Sequence, residues 1–187
     1  MVFTTHTTYR NEMMTQLARS CCHVTKLKDF NQWMTFFGKC FVEFCAKYGY
    51  DKLLQVTGRN YRDFLHGIDN IHEMIRFSYP RLCSPSFLVL NEDDNGCALL
   101  YQSARHGFKH YVIGQLQQIA KRFYQVSVII TVLEDAIVDN KCNVKFRLDF
   151  DNSAYRPIVT SNHFSGTTKF SNITGDTFLR VSIIIFI

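Results

Sequence analysis

No apolar run in this sequence approaches the roughly 18 residues that a membrane-spanning helix needs, and the closing SIIIFI is far too short to cross. The opening MVFTTHTTYRNEMMTQLARS is polar and lacks the apolar core of a secretory signal. Lysine and arginine never gather into a run, so the formal charge of +5 is a spread-out surplus and nucleic acid is a weak reading as a partner. The 7 cysteines (Cys21, Cys22, Cys40, Cys45, Cys83, Cys97 and Cys142) are odd in number, show no CxxC spacing and sit mostly in apolar segments. That pattern fits reduced thiols of a cytoplasmic protein better than a disulfide framework. The adjacent Cys21 and Cys22 read either as a redox pair or as plain neighbours. No internal repeat is visible.

What is present suits one domain with a tail: 187 residues, 47% of them hydrophobic, are enough for a single core but not for two full domains. Residues 1–28 read as a polar, divergent N-terminal segment with at most a short helix around Met13 to Arg19. From Asp29, a plausible N-cap, Phe30, Trp33, Met34, Phe37, Phe41, Phe44 and Cys45 recur at helical spacing. That helix closes near Gly49. A second helix spans about Gly58 to Tyr79 and stops at Pro80.

Then the texture changes. SFLVLNEDDNGCALLYQS reads as a hairpin around an Asn-Glu-Asp-Asp-Asn-Gly turn. A third helix follows from about Gly107 to Phe123, and VSVIITVLED and CNVKFRLDF read as two more strands. Helices first, then a small antiparallel sheet interrupted by one helix, make the fold class α+β. The main unit is 29–152. Residues 153–187, rich in Ser, Thr, Asn and Gly, read as linker or tail.

One helix carries two histidines. Leu65, Ile68, Ile75 and Tyr79 mark its apolar stripe, and His72 falls within it. His66, six residues earlier, lies about 240° round the axis on the polar side, so the two cannot share a metal, which needs i,i+3 or i,i+4 spacing. His72 is either a core histidine bonded to a backbone carbonyl or a neutral imidazole ligand. In YQSAR, Tyr101, Ser103 and Arg105 alternate on one strand face and present two hydroxyls and a guanidinium, a set suited to a pair of carboxylates. Such alternation also occurs on ordinary solvated strands. His106 and His110 are four apart and suit zinc in principle, but no further ligand lies nearby.

GYDKLL, DFLHGIDNIHEMI, YPRLCSPSF and YQSARHGFKHYVIGQL resemble, in order and spacing, the haem-binding H-NOX domain of soluble guanylate cyclases over roughly residues 30–150. The resemblance implies the H-NOX fold, with a haem b (protoporphyrin IX iron) held between the helical part and the sheet. It implies that His72 is the proximal iron ligand and that Tyr101, Ser103 and Arg105 clamp the propionates. Pro85 matches the proline that presses on the haem, although it also reads as a helix-to-strand turn residue. Ile68 and Phe41 are expected against the cofactor, and Phe41 and Cys45 on the distal side; both of the latter fit equally well as core residues.

The position three before the glycine of the third helix is distal in this family, and here it is Tyr111. A tyrosine there looks like the oxygen-binding branch, which includes atypical invertebrate cyclases, because a phenol stabilises the superoxide-like charge of bound oxygen by about 1.5–3 kcal/mol, roughly ten- to a hundredfold in affinity. The other reading is a tyrosine on the helix edge with its hydroxyl in water.

Expected ligands are therefore O2, NO or CO, and the expected protein partner is another guanylate cyclase subunit, in a homo- or heterodimer. The residues after 152 are too few for a cyclase domain, so the chain is expected not to make cGMP by itself, and the short helices that precede Asp29 in the family are expected to be missing or replaced. Two other readings stand beside the gas sensor: a haem-free interaction module that pairs with a cyclase subunit, and a nucleic-acid or metal-binding protein, which the composition does not favour.

Overall fold

The computed structural model describes residues 10, 12–47, 49, 51–78 and 83–153. Tyr79, Pro80, the side chain of Ile75 and the stretch 154–187 lie outside the described residues. Five helices, α1 (Met13–Thr25), α2 (Phe30–Lys47), α3 (Asp51–Val56), α4 (Tyr61–Ser78) and α5 (Lys109–Phe123), combine with four strands, β1 (Ser86–Asp93), β2 (Gly96–Ser103), β3 (Ile129–Val138) and β4 (Lys141–Asp149). The strands form one antiparallel sheet in the order β1-β2-β4-β3. This is the α+β arrangement that the sequence pattern predicts.

Helix starts follow local chemistry. Asp29 caps α2 in a reciprocal box: the Gln32 amide donates to Asp29 Oδ1 at 2.8 Å, and the Asp29 amide donates to Gln32 Oε1 at 3.1 Å. Gly49, at φ 87°, takes the left-handed conformation that lets the chain leave α2. Asn60 caps α4 by accepting from the Asp63 amide at 2.9 Å, so that helix begins after Asn60 and not at the expected Gly58.

Three elements differ from the expectation. The first helix does not stop near Arg19 but runs to Thr25, where Lys26 turns left-handed at φ 53°. Its register is set by packing: Ala18 is fully buried with Met34 of α2 and Phe108 and Tyr111 of the α5 region. The short helix α3 was not expected. The hairpin turn is only Asp94–Asn95, because Asn91 and Glu92 continue β1 through a bulge between Val89 and Glu92. At the other hairpin, Asp139 and Asn140 both have positive φ (50° and 59°), the tight two-residue geometry that matches strand twist.

The sheet's inner face is built from cross-strand pairs, Leu99 with Phe146 and Tyr101 with Val144, which join the main core beneath α4 and α5. Tyr61 of α4 donates its buried hydroxyl to the Leu116 carbonyl of α5 at 3.2 Å, linking the two helices. Helices α2 and α5 meet backbone to backbone. A Cβ on Gly38 would overlap the Tyr111 carbonyl oxygen, and one on Gly114 would overlap the Thr35 carbonyl oxygen. Only glycine permits that approach, and it fixes where the α5 residues on either side of Gly114 point.

Candidate functional site

A cleft of about 340 Å³, counting its open mouth, lies between the sheet and the start of α5. Pro85, Phe87, Tyr101, Ser103, Arg105, Phe108, Tyr111, Val112 and Gln115 line it. The strand period delivers Tyr101 and Ser103 to the inner face, where they are 2% and 6% exposed. β2 ends at Ser103, so Arg105 arrives from the bend that follows and not from the strand itself; its own amide donates to Ser103 Oγ at 3.0 Å and holds the bend in place. The three residues still converge on one cavity.

The electrostatics of this corner are those of an anion site. Burial lowers the Arg105 pKa from its usual value, partly offset by Tyr101, Cys83 and Tyr111, yet a guanidinium keeps its charge. Its Nη1 is buried with no hydrogen-bond partner in the structure. A buried, charged donor without an acceptor is costly, and an incoming carboxylate would complete it. Burial also raises the Tyr101 pKa, opposed by its hydrogen bond with Ser103, so the phenol stays a neutral donor.

Tyr111 is 7% exposed, so its hydroxyl is not on a wetted helix edge. Its ring packs 5.7 Å from Phe108 and 6.1 Å from Phe41. Burial, reinforced by Cys45, drives its pKa well above the ordinary tyrosine value, and the buried Cys45 thiol is itself pushed up to about 12. The cleft therefore holds a neutral phenolic O–H at any physiological pH.

His72 is 3% exposed on α4 and does not line the cleft. Its ring lies 5.7 Å from that of Phe87, which in turn lies 5.3 Å from that of Tyr101. Phe87 is the aromatic group common to the histidine and the cleft. His72 Nδ1 is 3.4 Å from Asp69 Oδ1. The same carboxylate accepts from Ser86 Oγ and from the Phe87 amide, each at 2.8 Å. Burial alone would raise the Asp69 pKa, but the bonds from His72, Phe87 and Ser86 outweigh it and hold the carboxyl below its usual value.

The other histidine of α4, His66, has its Nε2 2.6 Å from Glu92 Oε1, while Arg62 grips Oε2 of the same residue. Its place on the polar face is explained by this tie to β1.

Ile68 is buried in the main core and Phe41 is partly buried beside it; neither lines the cleft. His106 Nδ1 meets Cys142 Sγ at 3.2 Å, and no group of three or more metal-ligating side chains occurs among the described residues. Sequence reasoning missed Phe87, Phe108, Gln115 and Asp69. For Asp69 a signal existed, since it lies three residues before His72 on one helix face; Phe87 and Gln115 had none, because their positions depend on how β1 and α5 meet.

The chain that carries this arrangement is similar in sequence and fold to known proteins. The family model described as haem-NO-binding matches residues 1–132, a span that begins ahead of the 29–152 unit. Soluble guanylate cyclase 89Da of Drosophila melanogaster is 38% identical over 193 residues, 95% of this chain and 29% of that protein. Soluble guanylate cyclase 89Db of the same organism is 40% identical, over 82% of this chain and 25% of its own length. The chain thus spans less than a third of these relatives. The Fe(II) unliganded H-NOX protein of K. algicida superposes with a TM-score of 0.68 at 25% identity, covering 83% of this chain and 80% of that one. An oxygen-binding H-NOX domain related to soluble guanylate cyclases shares the fold, with a TM-score of 0.64 at 17% identity over 87% and 82% of the two chains. With the family model covering well over half of the chain, this protein belongs to the haem-NO-binding family and is an H-NOX domain of the soluble guanylate cyclase type.

Proposed function

We propose that this chain is a haem-based gas sensor, the regulatory part of a soluble guanylate cyclase in cGMP signalling. Residues 29–152 carry the cofactor, 1–28 form a divergent N-terminal segment that includes α1, and 153–187 are a linker or tail. The cofactor is haem b. His72 is its proximal ligand, Tyr101, Ser103 and Arg105 hold the propionates, and Pro85, Ile68 and Phe41 border the macrocycle. The observation that carries this reading is the buried, unpaired Nη1 of Arg105, on a residue that lines the same cleft as the hydroxyls of Tyr101 and Ser103. The haem supplies an iron that binds a diatomic gas; this chain's residues bind it, exclude water and decide which gas is favoured.

Tyr111 would supply the hydrogen-bond donor that favours O2 over CO, with NO as a further ligand. His72 would hold the haem iron, whose gas-binding chemistry would then be read by α4 as a two-state element biased by differential contacts. The catalytic output belongs to a cyclase domain, and the protein partner is another guanylate cyclase subunit in a homo- or heterodimer. Among the described residues no helix is long and apolar enough to cross a membrane.

A second reading, a haem-free interaction module pairing with a cyclase subunit, is favoured by Phe87, whose ring packs on both His72 and Tyr101 and must move for a porphyrin to reach the imidazole. The deciding experiment is the absorption spectrum of the purified ferrous protein after haemin addition. An intense Soret band that His72→Gly abolishes, and that free imidazole restores in this variant, supports the sensor. A colourless, folded, self-associating protein supports the module.

A further inference from the structure

Arg105 brings the charge of the clamp, yet it sits outside β2 in a bend whose other residues, Ala104, His106 and Gly107, are exposed. A segment with so little burial does not hold a guanidinium in one place by its own packing. One tie is internal, from the Arg105 amide to Ser103 Oγ at 3.0 Å. A second comes from the neighbouring strand. Cys142, at the start of β4, is the cross-strand partner of Ser103, so its thiol stands at the foot of the bend. Its Sγ meets His106 Nδ1 at 3.2 Å, and the Gly107 amide donates to the same sulfur. The thiol is half-buried. Burial and then Asp135 raise its pKa, against the Gly107 amide and Lys109, so the group is a neutral thiol with a structural task and not a reactive thiolate.

We propose that Cys142 is a positioning residue for the anion clamp, holding residues 104–107 from β4 so that Arg105 is fixed in place to meet a carboxylate. This rests on the reading of Tyr101, Ser103 and Arg105 as the clamp. Pairing of a guanidinium with a carboxylate is directional, and its strength depends on the fork arriving in the right plane. Ser103 Oγ secures the bend on the β2 side of Arg105, and Cys142 secures the two residues that follow it. Each contact to sulfur is weak alone. Their value lies in place, because they order the bend before any anion arrives and spare the ordering cost at binding.

Haemin and its dimethyl ester separate this role from general stability, since only haemin offers carboxylates. In titrations of the full chain followed by absorbance, Cys142→Ala should bind haemin about tenfold more weakly than wild type, the cost of ordering one or two groups at binding. Binding of the dimethyl ester should stay within about twofold. Cys142→Ser keeps a hydrogen-bonding group at the foot of the bend and should recover most of the haemin affinity. In the Arg105→Ala background, Cys142→Ala should have no further effect on haemin, because the two residues act as a unit. Without any haemin, the Gly107 amide of Cys142→Ala should exchange about tenfold faster, the loss of one hydrogen bond. If Cys142→Ala fails to fold, His106→Ala removes one of the two contacts from an exposed position and should weaken haemin, but not its ester, by a smaller factor.

Equal losses for haemin and its ester overturn the proposal, as do losses that simply add in the Arg105→Ala background. A wild-type chain that binds no haemin, or binds the ester as well as haemin, overturns the clamp reading and this inference with it. A wild-type chain that prefers haemin, alongside a Cys142→Ala chain with the same preference and affinity, overturns this inference alone.

Discussion

The two sides of the cleft are held by opposite means. On the distal side, α2 and α5 touch through glycine, with the Gly38 and Gly114 positions seated against carbonyl oxygens of the facing helix. Ala18, Met34 and Phe108 close that side with fully or nearly fully buried apolar contacts. On the proximal side, α4 is tied to β1 by polar groups: Arg62 and His66 on Glu92, and Asp69 on Ser86 and Phe87. Close-packed backbones have no neighbouring arrangement to slip into, whereas polar ties at a partly wetted seam can break and re-form. The lesson is that Tyr111 sits in the half held by close backbone packing, whereas His72 sits on the helix held by polar ties.

The comparison breaks hardest at the helix crossing. Gly114→Ala forces a Cβ into the Thr35 backbone and is expected to cost about 3 kcal/mol, lowering the thermal midpoint by about 10 °C in a melt followed by circular dichroism. Tyr111→Phe leaves packing intact and removes only the hydroxyl. It should speed O2 release roughly ten- to a hundredfold, from about 1.5–3 kcal/mol of lost hydrogen bonding, with CO release nearly unchanged in stopped-flow measurements; equal O2 release rates would sink the oxygen-tuned reading. Glu92→Gln loosens the proximal tie and should cost only about 1 kcal/mol by urea unfolding, well below the distal substitution. A proximal loss as large as the distal one would erase the contrast between the halves.

The smallest effect is a pH dependence confined to the proximal seam. The Asp69 carboxyl is held below its usual value near 3.8 in the folded state. A depressed carboxyl contributes stability that is fully present above the unfolded value and is lost as pH falls through the folded one. Phe87 amide protection should therefore persist at neutral pH and decline only below about pH 4, and the decline should be absent in Asp69→Asn when followed by hydrogen exchange.

Much of the fold was legible because it is written in local periodicity. The α2 stripe, the N-cap at Asp29, the end of α5 at Phe123 and the strands around Leu99 and Phe146 follow from spacing and turn residues alone. The end of the first helix, from Ser20 to Thr25, was not legible, because none of those residues is fully buried and no apolar stripe marks it. The helix α3 is a single short run whose existence depends on what it packs against. The clamp was legible as an alternation in YQSAR, except that Arg105 reaches the cleft from the bend beyond β2. Tyr111 sat on the shoulder of the α5 stripe. Its burial follows from Phe108 at the head of the same helix and from Phe41 of α2 closing over it, and the second of these no reading of α5 alone contains.

The sequence by itself determined the element types, their order, the family signature and the residues able to supply an imidazole, a guanidinium and a phenol, since each is a property of neighbours along the chain. Tertiary structure decided which of those groups face one cavity, that Phe87 stands against both His72 and Tyr101, and that Asp69 reaches from α4 to β1. Those facts arise from packing between segments far apart in sequence, where steric fit and the pairing of buried polar groups set the geometry.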